Sequence, residues 1–454
     1  MNNLKVRSLF FMLIATNVFA NDSDFYTSAR AILGDMVEIE STREKGLATS
    51  VSKYAESVLL NNGFEKGDLE VVGPAEASKG LYAIYRGRSS QDPVIVMAHI
   101  DVVPAVKDSW ITNPFKMTEI DGFLHGRGTS DNKAGAAGLV ATFARLRSEG
   151  FIPQNDIIML LTGDEETGMQ SIRYFKDNYK NVQNAAFALN SDGGYLTGTM
   201  DNPEAFRLQS AEKVYFTVTL TANNRGGHSS IPRKDNAIYD LADAIKKIQE
   251  FDFPISLNQT TRATLEFSMK DANESEKSQM NLILNEVQQE YELLKKDPEM
   301  NALTRTTCVA TKLKGGHAEN ALPVSAMATV NCRLVPQDDP NEVLSKIRNL
   351  VGDNIVVTPN ADVRKSPASP ITDEILELIS SSMDPIFPDL AIVPTMSTGA
   401  TDAIELRSNG VPVYGTSAMM TDPTGYRGHG LNERIEVSAF NATLDFWYTL
   451  MKQL

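Results

Sequence analysis

Cysteine and tryptophan are the scarce letters of this chain, with two of each among 454 residues, and there are only five histidines. So few cysteines exclude a disulfide-built scaffold, and two cysteines without a C-x-x-C spacing make a poor zinc module. Glycine (29) and proline (20) are too sparse for a collagen-like or low-complexity chain. Positive charge is short as well: 43 Lys and Arg stand against 58 Asp and Glu, a formal charge of −15. A general nucleic-acid binder needs clustered cations against phosphates, and an acidic chain is repelled by anionic membrane surfaces. Neither partner is expected. What remains is ordinary globular composition, 42% hydrophobic and 22% charged, in a length that suits two or three domains of about 100–200 residues each.

The N-terminus calls for separate treatment. Lys5 and Arg7 precede a mostly apolar stretch, residues 9–19, and Val18-Phe19-Ala20 has the small-x-small pattern of a leader cleavage site. The stretch is shorter than the roughly 20 residues that span a bilayer. Residues 1–20 are therefore read as a signal peptide, and the protein as exported to the periplasm or the medium. No cysteine follows the apolar stretch, so no membrane anchor is indicated.

Three short apolar runs, residues 94–98, 157–161 and 185–189, each end abruptly in polar or acidic sequence. Continuous apolar strands are what a sheet buried on both faces requires, and helical segments such as residues 133–148 lie between them. The pattern is α/β, and polar residues at strand C-termini mark where such sheets bind ligands. After about Ala211 the order changes to strand, helix, two strands, helix, strand, which predicts an inserted α+β sandwich of the split β-α-β, ferredoxin-like type. Within it, residues 274–296 read as a charged helical stretch, and the region 263–300 around it is longer than a minimal unit needs. The α/β character returns near Ile371. The domains are accordingly 21–210 and 361–454 for the first unit and 211–360 for the insert. Cys308 and Cys332 lie in two β-like runs, equidistant from Asn320. They either form a cross-strand disulfide or remain two buried thiols.

The chemistry concentrates at the strand ends. His99 and Asp101 flank one residue, so in extended backbone they point to the same side, one free to bind metal while the other orients it. Asp131 lies in a glycine-flanked turn that enters a helix. Glu165 and Glu166 are adjacent after a strand, Asp192 ends another, and His429 stands between two glycines. Singly, such carboxylates are usually helix caps or solvated loop charges. Together, two histidines and three carboxylates can hold a pair of zinc ions through a bridging carboxylate, and a spare carboxylate can move a proton.

These residues resemble a known family, the co-catalytic zinc exopeptidases and amidohydrolases that include carboxypeptidase G, carboxypeptidase S, aminoacylase and succinyl-diaminopimelate desuccinylase. The resemblance rests on the runs 98–104, 126–135, 163–168, 191–194 and 227–230 together with His429. The run from Arg305 through Gly315-Gly316 and Asn320 to Arg333 is most similar to the carboxypeptidase S branch. The fold implied is a mixed-sheet α/β catalytic domain carrying an inserted lid and dimerisation domain, in a homodimer. The implied cofactor is two zinc ions, with cobalt or manganese also compatible. Asp131 would bridge them, His99 and Asp192 completing one site and Glu166 and His429 the other. Glu165 would be the general base and then the acid, Asp101 would hold the His99 imidazole, and a cis peptide would follow Asp131.

On residues alone His228 is a turn histidine, and Arg333 and Asn320 are polar strand-surface residues. The resemblance instead implies that His228 stabilises the oxyanion in the partner's active site, and that Arg333 and Asn320 contact substrate. His125 and His317 match no ligand and are read as structural. The implied reaction is hydrolysis of an amide next to a free carboxylate, in a peptide or an N-acyl amino acid. An aminopeptidase or dipeptidase is the alternative, and a non-catalytic periplasmic metal- or peptide-binding protein the remote one.

Overall fold

The structure, a computed structural model, describes residues 22–361 and 365–454. The leader expected at residues 1–20 lies outside the described residues. Among the described residues no helix is long and apolar enough to cross a membrane.

The apolar runs become the centre of a nine-stranded mixed sheet. Ser89–His99 lies between Asn155–Thr162 and Phe187–Asn190, parallel to both, and Val413–Gly415 continues the parallel order beyond Phe187–Asn190. Gly80–Tyr85 and Leu69–Val72 extend one side antiparallel. Asn202–Glu212 and its parallel neighbour Ala391–Ser397 extend the other, with Tyr195–Thr199 paired off the main path. Residues of the central strands feed two separate cores, Val96, Met159 and Leu189 on one face and Ile95, Ile158 and Ala188 on the other. Burial on both faces is the reason these strands are continuously apolar.

The helix Lys133–Ser148 is buried from Lys133 through Leu146, flanked by the sheet, the helix Asp22–Glu38 and the helix Val437–Met451. Its small residues allow that close approach. A Cβ on Gly135 would lie 2.2 Å from Ser191 Oγ, so only glycine lets this helix start beside the strand end that carries Asp192.

The second sheet has four antiparallel strands in the order Thr307–Gly315, Ser325–Leu334, Val214–Asn223, Ile355–Pro359. The helices Ala237–Glu250 and Pro340–Val351 complete a β-α-β-β-α-β unit, with the first strand between the third and the fourth, as the split β-α-β reading expects. Val214, Phe216, Val218, Leu220 and Ala222 face the helices, and the alternate residues face away.

The expected single helical stretch over residues 274–296 is corrected. The chain forms the helix Glu274–Leu284, turns at Glu286 with φ 52°, and starts again at Glu292–Lys296. A non-glycine residue in the left-handed region ends a helix, which charge composition does not reveal. These helices and Gln259–Ser268 build a small core of their own around Leu265, Ile283 and Tyr291.

The cysteine question is also decided. Cys308 and Cys332 are direct partners on adjacent antiparallel strands and form a disulfide.

Candidate metal centre

Each of the chemically marked strand ends opens on the same side of the large sheet. His99 ends its strand buried, and its two ring nitrogens face different groups. Nδ1 donates to the Asp101 backbone carbonyl at 3.0 Å, and Nε2 is 2.8 Å from Asp131 Oδ1 and 3.8 Å from Asp192 Oδ1. A histidine tethered at Nδ1 presents Nε2 as the ligand atom.

Asp131 follows the turn after Phe123–His125, and its peptide to Asn132 is cis, as the resemblance implied. Its other oxygen, Oδ2, is 3.3 Å from His429 Nε2, which in turn is 2.8 Å from Glu166 Oε1. One carboxylate thus turns one oxygen to each histidine. Oxygen and nitrogen atoms of His99, Glu165 and Asp192 lie within 4.8 Å of one another, and so do those of His99, Asp131 and Glu166. The donor set is hard oxygen and imidazole nitrogen, as suits a divalent cation of the zinc type.

Electrostatics point the same way. Burial pushes the Asp192 carboxyl up to about 7, the nearby Asp131 adding to the effect. Burial also raises Glu165 well above the usual carboxylate range, Asp192, Asp402 and Glu166 reinforcing it. Hydrogen bonds to Asp131 and then Glu166 raise His429 to about 10. Carboxylates packed this densely repel one another, and a cation between them relieves the repulsion.

Asp101 does more than the sequence implied. Its carboxylate is 3.6 Å from His99 Nδ1, but both of its oxygens accept backbone N–H groups, from Glu165 and from Glu166 at 3.1 Å each. It therefore aims the adjacent glutamates as well as the imidazole.

Two cavities meet at those glutamates. One, of about 610 Å³, is lined by Asp131, Asp192 and His429 and by the apolar Met419, Met420 and Tyr195. The other, of about 660 Å³, opens toward the four-stranded sheet, where it meets Tyr215 and Arg333. The Arg333 guanidinium lies 4.7 Å from the Tyr215 ring centre, and among the described residues no carboxylate pairs with it.

His228 and Asn320 are not brought to this cluster within one chain. Both are exposed, and neither lines either cavity. They sit together at a short ladder of Gly227–His228 with Ala321–Leu322, where the Ser229 N–H donates to the Asn320 carbonyl at 3.0 Å. His228 Nδ1 is engaged by Ser230 Oγ at 2.7 Å. His317 is exposed, and His125 is buried in the small sheet formed with Thr118–Ile120 and Arg434–Glu436.

Two further residues at the centre carry no signal in the sequence. Tyr426 donates its phenol to Asp131 Oδ2 at 2.8 Å. Glu433, four residues beyond His429, is fully buried against the Asp131 loop. An acid in a polar run gives no sign of burial, so no local pattern could have found it.

Comparison with known proteins agrees with this geometry. Residues 95–453 match the profile of peptidase family M20/M25/M40. The chain belongs to this family. It is 32% identical over 389 residues to the human N-fatty-acyl-amino acid synthase/hydrolase PM20D1, covering 82% of this chain and 76% of that one. A probable carboxypeptidase S-like protein of Dictyostelium discoideum is 28% identical, over 80% of this chain and 72% of its own length. That similarity accords with the carboxypeptidase S resemblance of the sequence. Among solved structures, the M20 metallo-carboxypeptidase Sso-CP2 of Sulfolobus solfataricus superimposes with a TM-score of 0.68 at 20% identity, covering 94% of this chain and 98% of that one. As an M20 member the chain is a metallopeptidase or amidohydrolase with a mixed α/β fold.

Proposed function

We propose that this M20 hydrolase is exported and uses two zinc ions to cleave an amide bond next to a free carboxylate, in a peptide or an N-acyl amino acid. One observation carries the reading. Glu165 and Glu166 stand where a cavity walled by metal-type donors meets a cavity that ends on the Arg333 guanidinium, which no carboxylate pairs with among the described residues. A planar guanidinium on an aromatic ring suits a carboxylate. The substrate carboxylate placed on Arg333 leaves its amide over Glu165 and its acyl side against Met419, Met420 and Tyr195.

Asp131 would be shared by the two ions, with His99 and Asp192 on one and Glu166 and His429 on the other. When bound, the ions supply Lewis acidity that activates water and polarises the carbonyl. Glu165 accepts the proton of the attacking water and returns it to the leaving nitrogen. Asp101 holds both His99 and the Glu165–Glu166 backbone in place for this transfer. The acyl carbon–nitrogen bond breaks, giving a carboxylate and a free amine.

The test is a panel of N-acylated amino acids and free dipeptides, incubated with metal-loaded mature protein and read by mass spectrometry. A free amino acid should be released from the blocked substrates, and chelation should abolish the release. Cleavage of unblocked peptides alone would move the assignment to an aminopeptidase or dipeptidase. No cleavage with both ions bound would make the non-catalytic binding reading a live one.

Residues 21–210 and 361–454 would then form the catalytic unit, and residues 211–360 a lid and dimerisation unit. The strand Thr307–Gly315 is a sheet edge with Val309 and Leu313 exposed at 59% and 73%, a surface that a second copy would cover. In such a dimer His228, with Asn320 beside it, would serve the partner subunit's site and steady the oxyanion. The expected outcome of mixing is specific. Glu165→Gln and His228→Ala chains, each inactive alone, should recover about a quarter of the wild-type rate once subunits exchange, because mixed dimers hold one intact site. Exchange without recovery would overturn the partner-subunit role of His228, and a His228→Ala chain fully active alone would put His228 outside the reaction.

A further inference from the structure

Glu433 is an acid with no exposure to solvent, and the loop of Asp131 is wrapped around it. Its Oε1 accepts the backbone N–H groups of Gly128 at 3.0 Å, Ser130 at 2.8 Å and Asp131 at 3.0 Å, together with the Ser130 hydroxyl at 3.1 Å. Its Oε2 is 2.6 Å from Arg127 Nη1. The same guanidinium reaches on through Nη2 to the Gly430 carbonyl at 2.9 Å, next to His429, and lies 5.1 Å from the Trp110 ring centre. The bonds close a ring that joins the Asp131 loop to the His429 loop.

That ring has work to do. His429 and Asn432 both hold positive φ, 62° and 55°, a backbone region that side chains disfavour, though histidine and asparagine less than most, and that fixed partners help to hold. The His429 turn is therefore shaped by what it is tied to. His99 ends a strand of the central sheet and Asp192 follows another by two residues, so the sheet itself places them.

We propose that Glu433 is a positioning residue: its carboxylate sets the spacing of Asp131 and His429, so the metal position served by Glu166 and His429 depends on Glu433 for its affinity. The inference rests on the two-metal reading and adds an asymmetry to it. Donors converge on both oxygens of Glu433, so a glutamine there must turn an NH₂ group against N–H donors. The second metal position is weakened, and the position at His99 and Asp192 survives.

The experiment titrates the metal-free, full-length mature chain with Co²⁺, by calorimetry and by visible absorption of the bound ion, for the wild type and for Glu433→Gln. The wild type should take two ions. The variant should keep one with near-wild-type affinity and spectrum, and bind the second about 10–100-fold more weakly. Two ions bound by the variant with wild-type affinity would overturn the proposal. So would equal weakening of both positions, which a merely structural role produces. A wild type that takes fewer than two ions would overturn the two-metal reading itself, and this inference with it. Should Glu433→Gln fail to fold, Arg127→Lys keeps a cation for Glu433 but withdraws the arm on Gly430. It should weaken the same second position, and an unchanged second position would overturn the proposal.

Discussion

Glu165→Gln is expected to lower kcat by about 10³-fold, some 4 kcal/mol of transition-state stabilisation, with metal content unchanged. Glutamine matches the size of the glutamate and leaves Asp101 bonded to the backbone of residues 165 and 166. What it removes is a site that can take and return a proton. Burial and three neighbouring acids already hold the Glu165 carboxyl far above the usual range. Bound cations counter that repulsion and bring the group toward the range where a base near neutral pH is effective. Calorimetric metal titration beside steady-state kinetics on the best substrate of the panel separates the two effects. Full activity in the variant would remove Glu165 from the mechanism.

Asp131→Asn should be more severe, because it strikes both halves of the centre at once. The two Asp131 oxygens lie 2.8 Å from His99 Nε2 and 3.3 Å from His429 Nε2, so both proposed metal positions lean on this one group. An amide offers one neutral oxygen in place of two that share a charge. Metal content should fall below one ion per chain, and activity by at least about 10³-fold. Circular dichroism should stay that of the wild type, since the Asp131 side chain touches the site and not the core. Two retained ions with near-normal turnover would show that the carboxylate does not bridge.

These expectations rest on residues that differ in how visible they were. His99, Asp101, Glu165, Glu166 and Asp192 stood out because each ends an apolar strand, and a sheet buried on both faces leaves its functional groups little other place to emerge. The split β-α-β insert was visible for a related reason: its strands alternate in burial, and its helices fall between them in an order few topologies satisfy. Cys308 and Cys332 were ambiguous in sequence because a disulfide depends on strand register, which the bulge between Ala310 and Lys312 could have shifted. The break in the 274–296 stretch turned on one residue in left-handed backbone. Charge composition cannot express that.

The α/β framework, the family motifs and the types of ligand available are written locally in the chain, because periodic burial and strand-end chemistry are local properties. The packing of distant elements sets how far apart those ligands stand. Residues some three hundred positions apart, Asp131 and Glu433, share a hydrogen bond, and His429 finds Glu166 across a similar separation. It also leaves His228 and Asn320 exposed and outside the two cavities of their own chain's cluster. Distances of this kind arise when two elements pack against the same core, and no short stretch of sequence contains both elements.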